Sequence, residues 1–210
     1  VDADTEVDAD WIARARAAAA AAAAGAAGFG GRLEEWNLVR GGARAGDLDM
    51  NRVGDAERAL DLLTTPALYR RAALLSVGGY DARLDADEDF ELGLRFAAAG
   101  FELRCLPGPA ARHWNDPRPS FTELARRWRY GLAFGPGQAL RLYLGRPEFP
   151  RLVARQWFAL FALGVWSLGA VAAGAALAAG DARALVVWAD GVLLLLAALV
   201  IRKRSPRRGI

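Results

Sequence analysis

The chain has 210 residues, 54% of them hydrophobic and 24% charged, with a formal net charge of +3 and a single cysteine. That length can hold one domain with a sizeable core, and the lone Cys105 excludes an internal disulfide and suits a reducing compartment. The apolar residues are concentrated in the last third and the basic surplus sits at its flanks, which fits anionic lipid headgroups and argues against nucleic acid as a partner.

Val1-Asp2-Ala3-Asp4-Thr5 opens the chain. Mg²⁺ and Mn²⁺ are hard cations that bind carboxylate and phosphate oxygens, often through only one or two protein carboxylates, so an Asp-X-Asp is sufficient protein ligation for a metal-bound diphosphate. The plainer alternative is a pair of loop or capping aspartates. A protein is not expected to begin within a strand that ends on its metal site, so the chain reads as the C-terminal part of a longer enzyme.

Asp10 is expected to cap an alanine-rich helix over Trp11 to Ala24, ended by Gly25 to Gly31. Arg32 to Val53 shows poor periodicity and predicts a mobile surface segment around a short Leu33 to Val39 element. Leu62 to Tyr69 predicts a strand, Arg70 to Ser76 a short helix, and Gly78-Gly79-Tyr80-Asp81 a turn that needs glycine. Glu88 to Ala99 predicts a helix stopped by Gly100, with strands at Phe101 to Leu106 and Ala110 to Trp114. The cluster Asp87, Glu88 and Asp89 either carries chemistry or complements the helix dipole, and Glu91 and Arg95, four apart, form a structural pair. Ser120 opens an arginine-rich amphipathic helix to about Tyr130, and Gln138 to Leu144 resumes helix after a glycine-containing break.

Trp157 to Ala179 is 23 residues without a charge, and at ~1.5 Å rise per residue it spans the ~30 Å hydrocarbon core. Ala184 to Ile201 is interrupted only by Asp190, at a cost of about 2.5–3.5 kcal/mol at a helix centre, and the intervening Gly180 to Arg183 predicts a tight reversal. Arg151 and Arg155 before the first span, and Arg202, Lys203, Arg204, Arg207 and Arg208 after the second, place both ends in the cytoplasm.

Asp2-Ala3-Asp4, Ala72 to Asp81 ending in Gly-Gly-Tyr-Asp, Glu88-Asp89-Phe90-Glu91-Leu92-Gly93-Leu94-Arg95 and His113-Trp114, in this order and spacing, resemble the second half of family 2 glycosyltransferases of the GT-A fold. The resemblance covers Val1 to about Tyr143, and the hydrophobic hairpin fits polysaccharide-type members. It implies an α/β fold: a partial GT-A (Rossmann-like nucleotide-diphospho-sugar transferase) domain over residues 1–145, a juxtamembrane linker at 146–156, two transmembrane helices within 157–201, and a basic cytoplasmic tail at 202–210. It also implies hexosyl-type transfer from a nucleotide-sugar donor to a lipid-linked or polysaccharide acceptor, assisted by Mg²⁺ or Mn²⁺, at the cytoplasmic face of the cell membrane.

On that resemblance Asp4 is a metal ligand, Asp2 contacts ribose or metal, and His113 completes the metal site or is a structural histidine. Asp89 matches the catalytic base of an inverting transfer, and Glu88 orients it or the acceptor. Arg127 and Trp128 match part of the Gln-X-X-Arg-Trp motif of processive synthases, where they would contact the diphosphate and stack on an acceptor sugar. Leu124 stands where glutamine should be, which puts processivity in doubt, and an arginine face on lipid headgroups explains the same residues. Gly78 and Gly79 count with Arg127 and Trp128 as donor- or acceptor-binding positions. Two other classes remain open: a noncatalytic membrane subunit that scaffolds a synthase, and a metal-dependent hydrolase using the same acids.

Overall fold

The computed structural model describes residues 4–115 and 120–204. The chain divides into two compact units, Val1–Glu148 and Phe149–Ile210.

The first unit is built on a mixed sheet. Its two long strands, β2 (Ala26–Val39) and β6 (Glu102–Asn115), run parallel. Four shorter strands pair antiparallel with them: β1 (Thr5–Val7) and β4 (Arg58–Leu60) on β6, and β3 (Gly42–Ala45) and β5 (Leu68–Tyr69) on β2. Helix α1 (Trp11–Ala21) covers one face, and α2 (Arg71–Ser76) and α3 (Glu88–Ala98) cover the other. This layered arrangement fits a GT-A-like α/β domain.

The two faces carry separate cores. Trp11 and Ala15 of α1 pack with Ala26, Phe29, Leu106 and Ala110, while Ala73, Leu92 and Phe96 pack with Ala27, Leu63 and Leu103. A register irregularity between Ala26 and Gly28 lets Ala26 and Phe29 share one face while Ala27 takes the other. Helix α3 comes very close to the preceding chain: a Cβ at Gly93 would lie 2.0 Å from the Asp61 carbonyl oxygen, so only glycine fits there.

Three expectations are corrected. Gly25 to Gly31 does not merely end a helix: from Ala26 onward it enters the central strand of the sheet. Arg32 to Val53 is exposed from Leu38 to Leu48 as expected, but its Leu33 to Val39 element is the second half of the long β2 and the loop after it is pinned, with Asp49 accepting backbone bonds from Val53 (2.9 Å) and Gly54 (2.7 Å). Asp10 makes no side-chain cap to α1. The far end of that helix is held instead by Arg70, whose guanidinium donates to the carbonyls of Ala19 (2.5 Å) and Ala22 (3.1 Å), where a cation complements the helix dipole.

After β6 come α4 (Ser120–Arg129) and α5 (Gly135–Leu142). The second unit begins with α6 (Phe149–Arg155), a short helix within the segment expected to be a linker. It continues as a helical hairpin of α7 (Trp157–Ala179) and α8 (Arg183–Arg204). Gly180, with φ of 64°, ends α7 in the left-handed conformation that glycine adopts without penalty. The helices meet where the Trp188 indole donates to the Val165 carbonyl at 2.9 Å and lies against Gly169, where a Cβ would be 2.5 Å from the ring. Small residues allow this kind of close helix approach. Of the two expected spans, one qualifies: among the described residues, α7 alone is long and apolar enough to cross a membrane by length and composition. Arg183 pairs with Asp181 at 3.5 Å.

Candidate active site

A cavity of about 620 Å³ opens beside the sheet, with Leu33 of β2, Met50, Thr64, Thr65, Tyr69, Tyr80, Glu88, Asp89 and His113 among its walls. Residues from six separate stretches of the chain thus meet at one place. The acids enter at the start of α3. Asp87 just before it has φ of 62°, a left-handed backbone unusual outside glycine but tolerated by aspartate, and its carbonyl accepts the Glu91 amide at 3.0 Å to begin the helix. Glu88 and Asp89 therefore sit in the first turn, where the helix dipole favours carboxylates.

Helix α5 clamps the segment leading to that turn. Gln138 exchanges two hydrogen bonds with Asp85, at 2.9 and 2.7 Å, and a Cβ at Gly135 would lie 2.5 Å from the Ala86 carbonyl. Two residues after Asp89 on α3, Glu91 is only 2% exposed. Its carboxylate accepts from the Arg95 guanidinium at 2.6, 2.8 and 3.0 Å and from the Tyr143 hydroxyl at 2.6 Å. The expected Glu91–Arg95 pair is present and carries structure, not chemistry.

Two tyrosines missed in the sequence line the cavity. The Tyr80 hydroxyl donates to Asp89 Oδ1 at 3.1 Å. The Tyr69 hydroxyl is buried without a hydrogen-bond partner of good geometry among the described residues. Burial first, then the neighbouring Tyr80 and the Asp89 carboxylate, push the Tyr69 phenol well above its ordinary range. Burial likewise pushes the Tyr80 phenol up. The one sequence signal was Tyr80 within Gly-Gly-Tyr-Asp, which reads only as a turn.

His113 stands on β6 opposite Thr5, with Nδ1 3.5 Å from Asp4 Oδ1. Two donors at that spacing can share one cation, since cis ligands of an octahedral Mg²⁺ with bonds of about 2.0–2.1 Å lie roughly 3 Å apart. Asp4 and His113 therefore fit a partial metal site whose remaining ligands would be water or phosphate oxygens. Asp2 lies outside the described residues. Among the described residues, no group of three or more His, Cys, Asp or Glu is gathered to hold a metal ion.

Gly78 and Gly79 do not line this cavity: they shape the turn that presents Tyr80, and they border a second, smaller cavity with Arg83, Arg95 and Arg146. Arg127 and Trp128 are not brought to the cavity either. Both are exposed on α4, with the Trp128 ring 4.9 Å from that of Phe134. Phe121, Leu124 and Trp128 line one exposed side of that helix, at 81%, 60% and 64% exposure.

The family model described as Glycosyl transferase family group 2 matches residues 1–201. A search of curated proteins gives no match. The family match extends over the mixed sheet, the acidic turn of α3 and the hairpin alike, and the chain belongs to glycosyl transferase family group 2 as a glycosyltransferase enzyme.

Proposed function

We propose that the protein moves a sugar from a nucleotide-sugar donor to a lipid-linked or polysaccharide acceptor by inverting displacement, with the catalytic unit at the cytoplasmic face of a membrane. The observation that carries this reading is the convergence of Asp89, Glu88 and His113 on one cavity. Asp89 accepts the proton of the acceptor hydroxyl as that oxygen bonds to the anomeric carbon and the diphosphate leaves with the electrons of its bond. Glu88, in the same turn, accepts a hydrogen bond from the acceptor and orients it. Asp4 and His113 hold a divalent cation, Mg²⁺ or Mn²⁺, which when bound neutralises charge on the departing diphosphate.

The apolar α7 supports a membrane anchor, and the reading of α8 as a second span rests on its packing against α7. Helix α4 suits the headgroup layer: Phe121, Leu124 and Trp128 form an apolar side, and Arg126, Arg127 and Arg129 supply positive charge. This reading replaces a sugar-stacking role for Trp128.

The direct test incubates membranes containing the protein with radiolabelled uridine- and guanosine-diphosphate sugars and a total lipid extract. Label transferred to the lipid or polymer fraction from one donor supports the reading. Donor cleavage by the wild type that survives substitution of Asp89, or label in free sugar alone whatever acceptor is supplied, counts against it.

A further inference from the structure

We propose that Tyr80 is a positioning residue for the transfer: its phenol holds the Asp89 carboxylate in a fixed orientation within the cavity. The inference rests on the reading of Asp89 as the base and adds a residue to it.

The geometry that fixes Tyr80 closes on α3 from two sides. On the backbone side, Gly78 and Gly79 have φ of 88° and 68°, a pair of left-handed residues that glycine alone takes without penalty. Their amides are tied back to α2 by bonds to Leu75 (3.1 Å) and Leu74 (2.9 Å). Arg95 of α3 donates to the Val77 carbonyl at the start of the same turn, and its guanidinium also holds the buried Glu91. On the side-chain side, the Tyr80 ring meets Tyr69 edge-on at 6.5 Å, and Tyr69 stacks on Phe96 of α3 at 5.5 Å. Phe96 is fully buried. Tyr80 and Asp89 are therefore referenced to one rigid helix, and the 3.1 Å bond between them spans a short, doubly anchored gap.

A phenol donating to a carboxylate makes a charge-assisted hydrogen bond, and at 3.1 Å on an exposed edge of the cavity this one is long for its kind. It favours the ionised form of the acid, whereas the other acids nearby oppose ionisation. Among the described residues, the groups that face Asp89 include Glu88 from its own turn, Tyr80 from the glycine turn, Tyr69 from β5 and His113 from β6 across the cavity. Among them Tyr80 is the one whose hydroxyl donates to the Asp89 carboxylate.

The test follows the Asp89 carboxyl directly and needs no knowledge of the natural donor. The full chain is prepared in detergent micelles with carbonyl-labelled aspartate, the Asp89 resonance is identified by its loss in Asp89→Asn, and its pH titration is recorded. Tyr80→Phe should move the midpoint upward by roughly half a unit to one unit, with the melting temperature unchanged. Replacing Tyr80 with difluorotyrosine, a more acidic donor, should move it downward. If one nucleotide sugar is turned over, the acidic limb of kcat/KM should follow both shifts while donor affinity stays constant. An Asp89 midpoint indifferent to both replacements overturns the inference, and the fluorinated form retains the test should Tyr80→Phe fold poorly. Undiminished turnover by Asp89→Asn would instead overturn the base assignment on which it rests.

Discussion

The Tyr143 hydroxyl donates to the Glu91 carboxylate at 2.6 Å, tying the end of α5 to α3 two residues after Asp89. Glu91 is also the ligand of the Arg95 guanidinium, and that guanidinium holds the turn bearing Tyr80. The position of the acidic turn thus depends on an ion pair whose carboxylate is buried and whose guanidinium is 23% exposed. Removing one partner of a fully buried pair costs about 3–5 kcal/mol, and the partial exposure of Arg95 puts this pair at the lower end. Glu91→Ala should lower the stability of the catalytic unit by that order in denaturant unfolding, and a loss below about 1 kcal/mol would contradict this role.

A neighbouring pair adds a pH-dependent contribution. Hydrogen bonds from the Arg83 side chain and amide hold Asp81 down to about 2. Because the folded value lies below the usual carboxylate value of about 3.9, the stabilisation is complete above that value and is lost as the pH falls towards 2. Wild type should therefore be more stable than Asp81→Asn at neutral pH, and the difference should shrink through that acid window. A gap that widens with acidification would contradict the pairing.

The metal reading places Asp4 ahead of His113, since a carboxylate suits a hard cation better than imidazole does. Asp4→Ala should abolish Mn²⁺-dependent binding of a nucleoside diphosphate measured by calorimetry. His113→Ala should weaken it by a smaller factor. Tight binding by the wild type that is indifferent to Mn²⁺ would rule out this pair as its site.

Topology can be read without substrate. Basic residues flank the outer ends of the hairpin and only Arg183 lies near the turn, so a reporter after Ile210 should read cytoplasmic and a tag at Gly180–Arg183 external. A turn that reads cytoplasmic together with an externally exposed C-terminus would reverse the arrangement.

How much of this was legible depended on periodicity. Helix α3 carries a 3.6-residue pattern with acids in its first turn, so its limits were readable, as was the charge-free run of α7, while Asp89 as a base came only from the resemblance. Strand β2 was not: its first residues are buried on both faces and rich in glycine, so the alternation that marks a half-buried strand is missing. The glycines are there for close packing, with a Cβ at Gly28 reaching 2.7 Å from the Tyr69 ring. Leu62 to Tyr69 read as a strand because it is apolar, yet only Leu68 and Tyr69 pair, and Thr64 and Thr65 instead line the cavity. Tyr69 closes the two-residue β5 and Tyr80 sits in a glycine turn, segments too short to carry a period that says what a side chain faces. The β2–β5 pairing and the glycine turn bring them together.

The central claim is that Asp89 acts as the base of the transfer. Its most direct test is Asp89→Asn, which is nearly the same size and keeps an oxygen able to accept from Tyr80, assayed for turnover of a nucleotide sugar and for donor binding in the same preparation. Removal of a general base should lower kcat by about a hundredfold or more while donor affinity stays within a few fold. Turnover close to wild type would contradict the assignment, and so would a loss confined to donor binding.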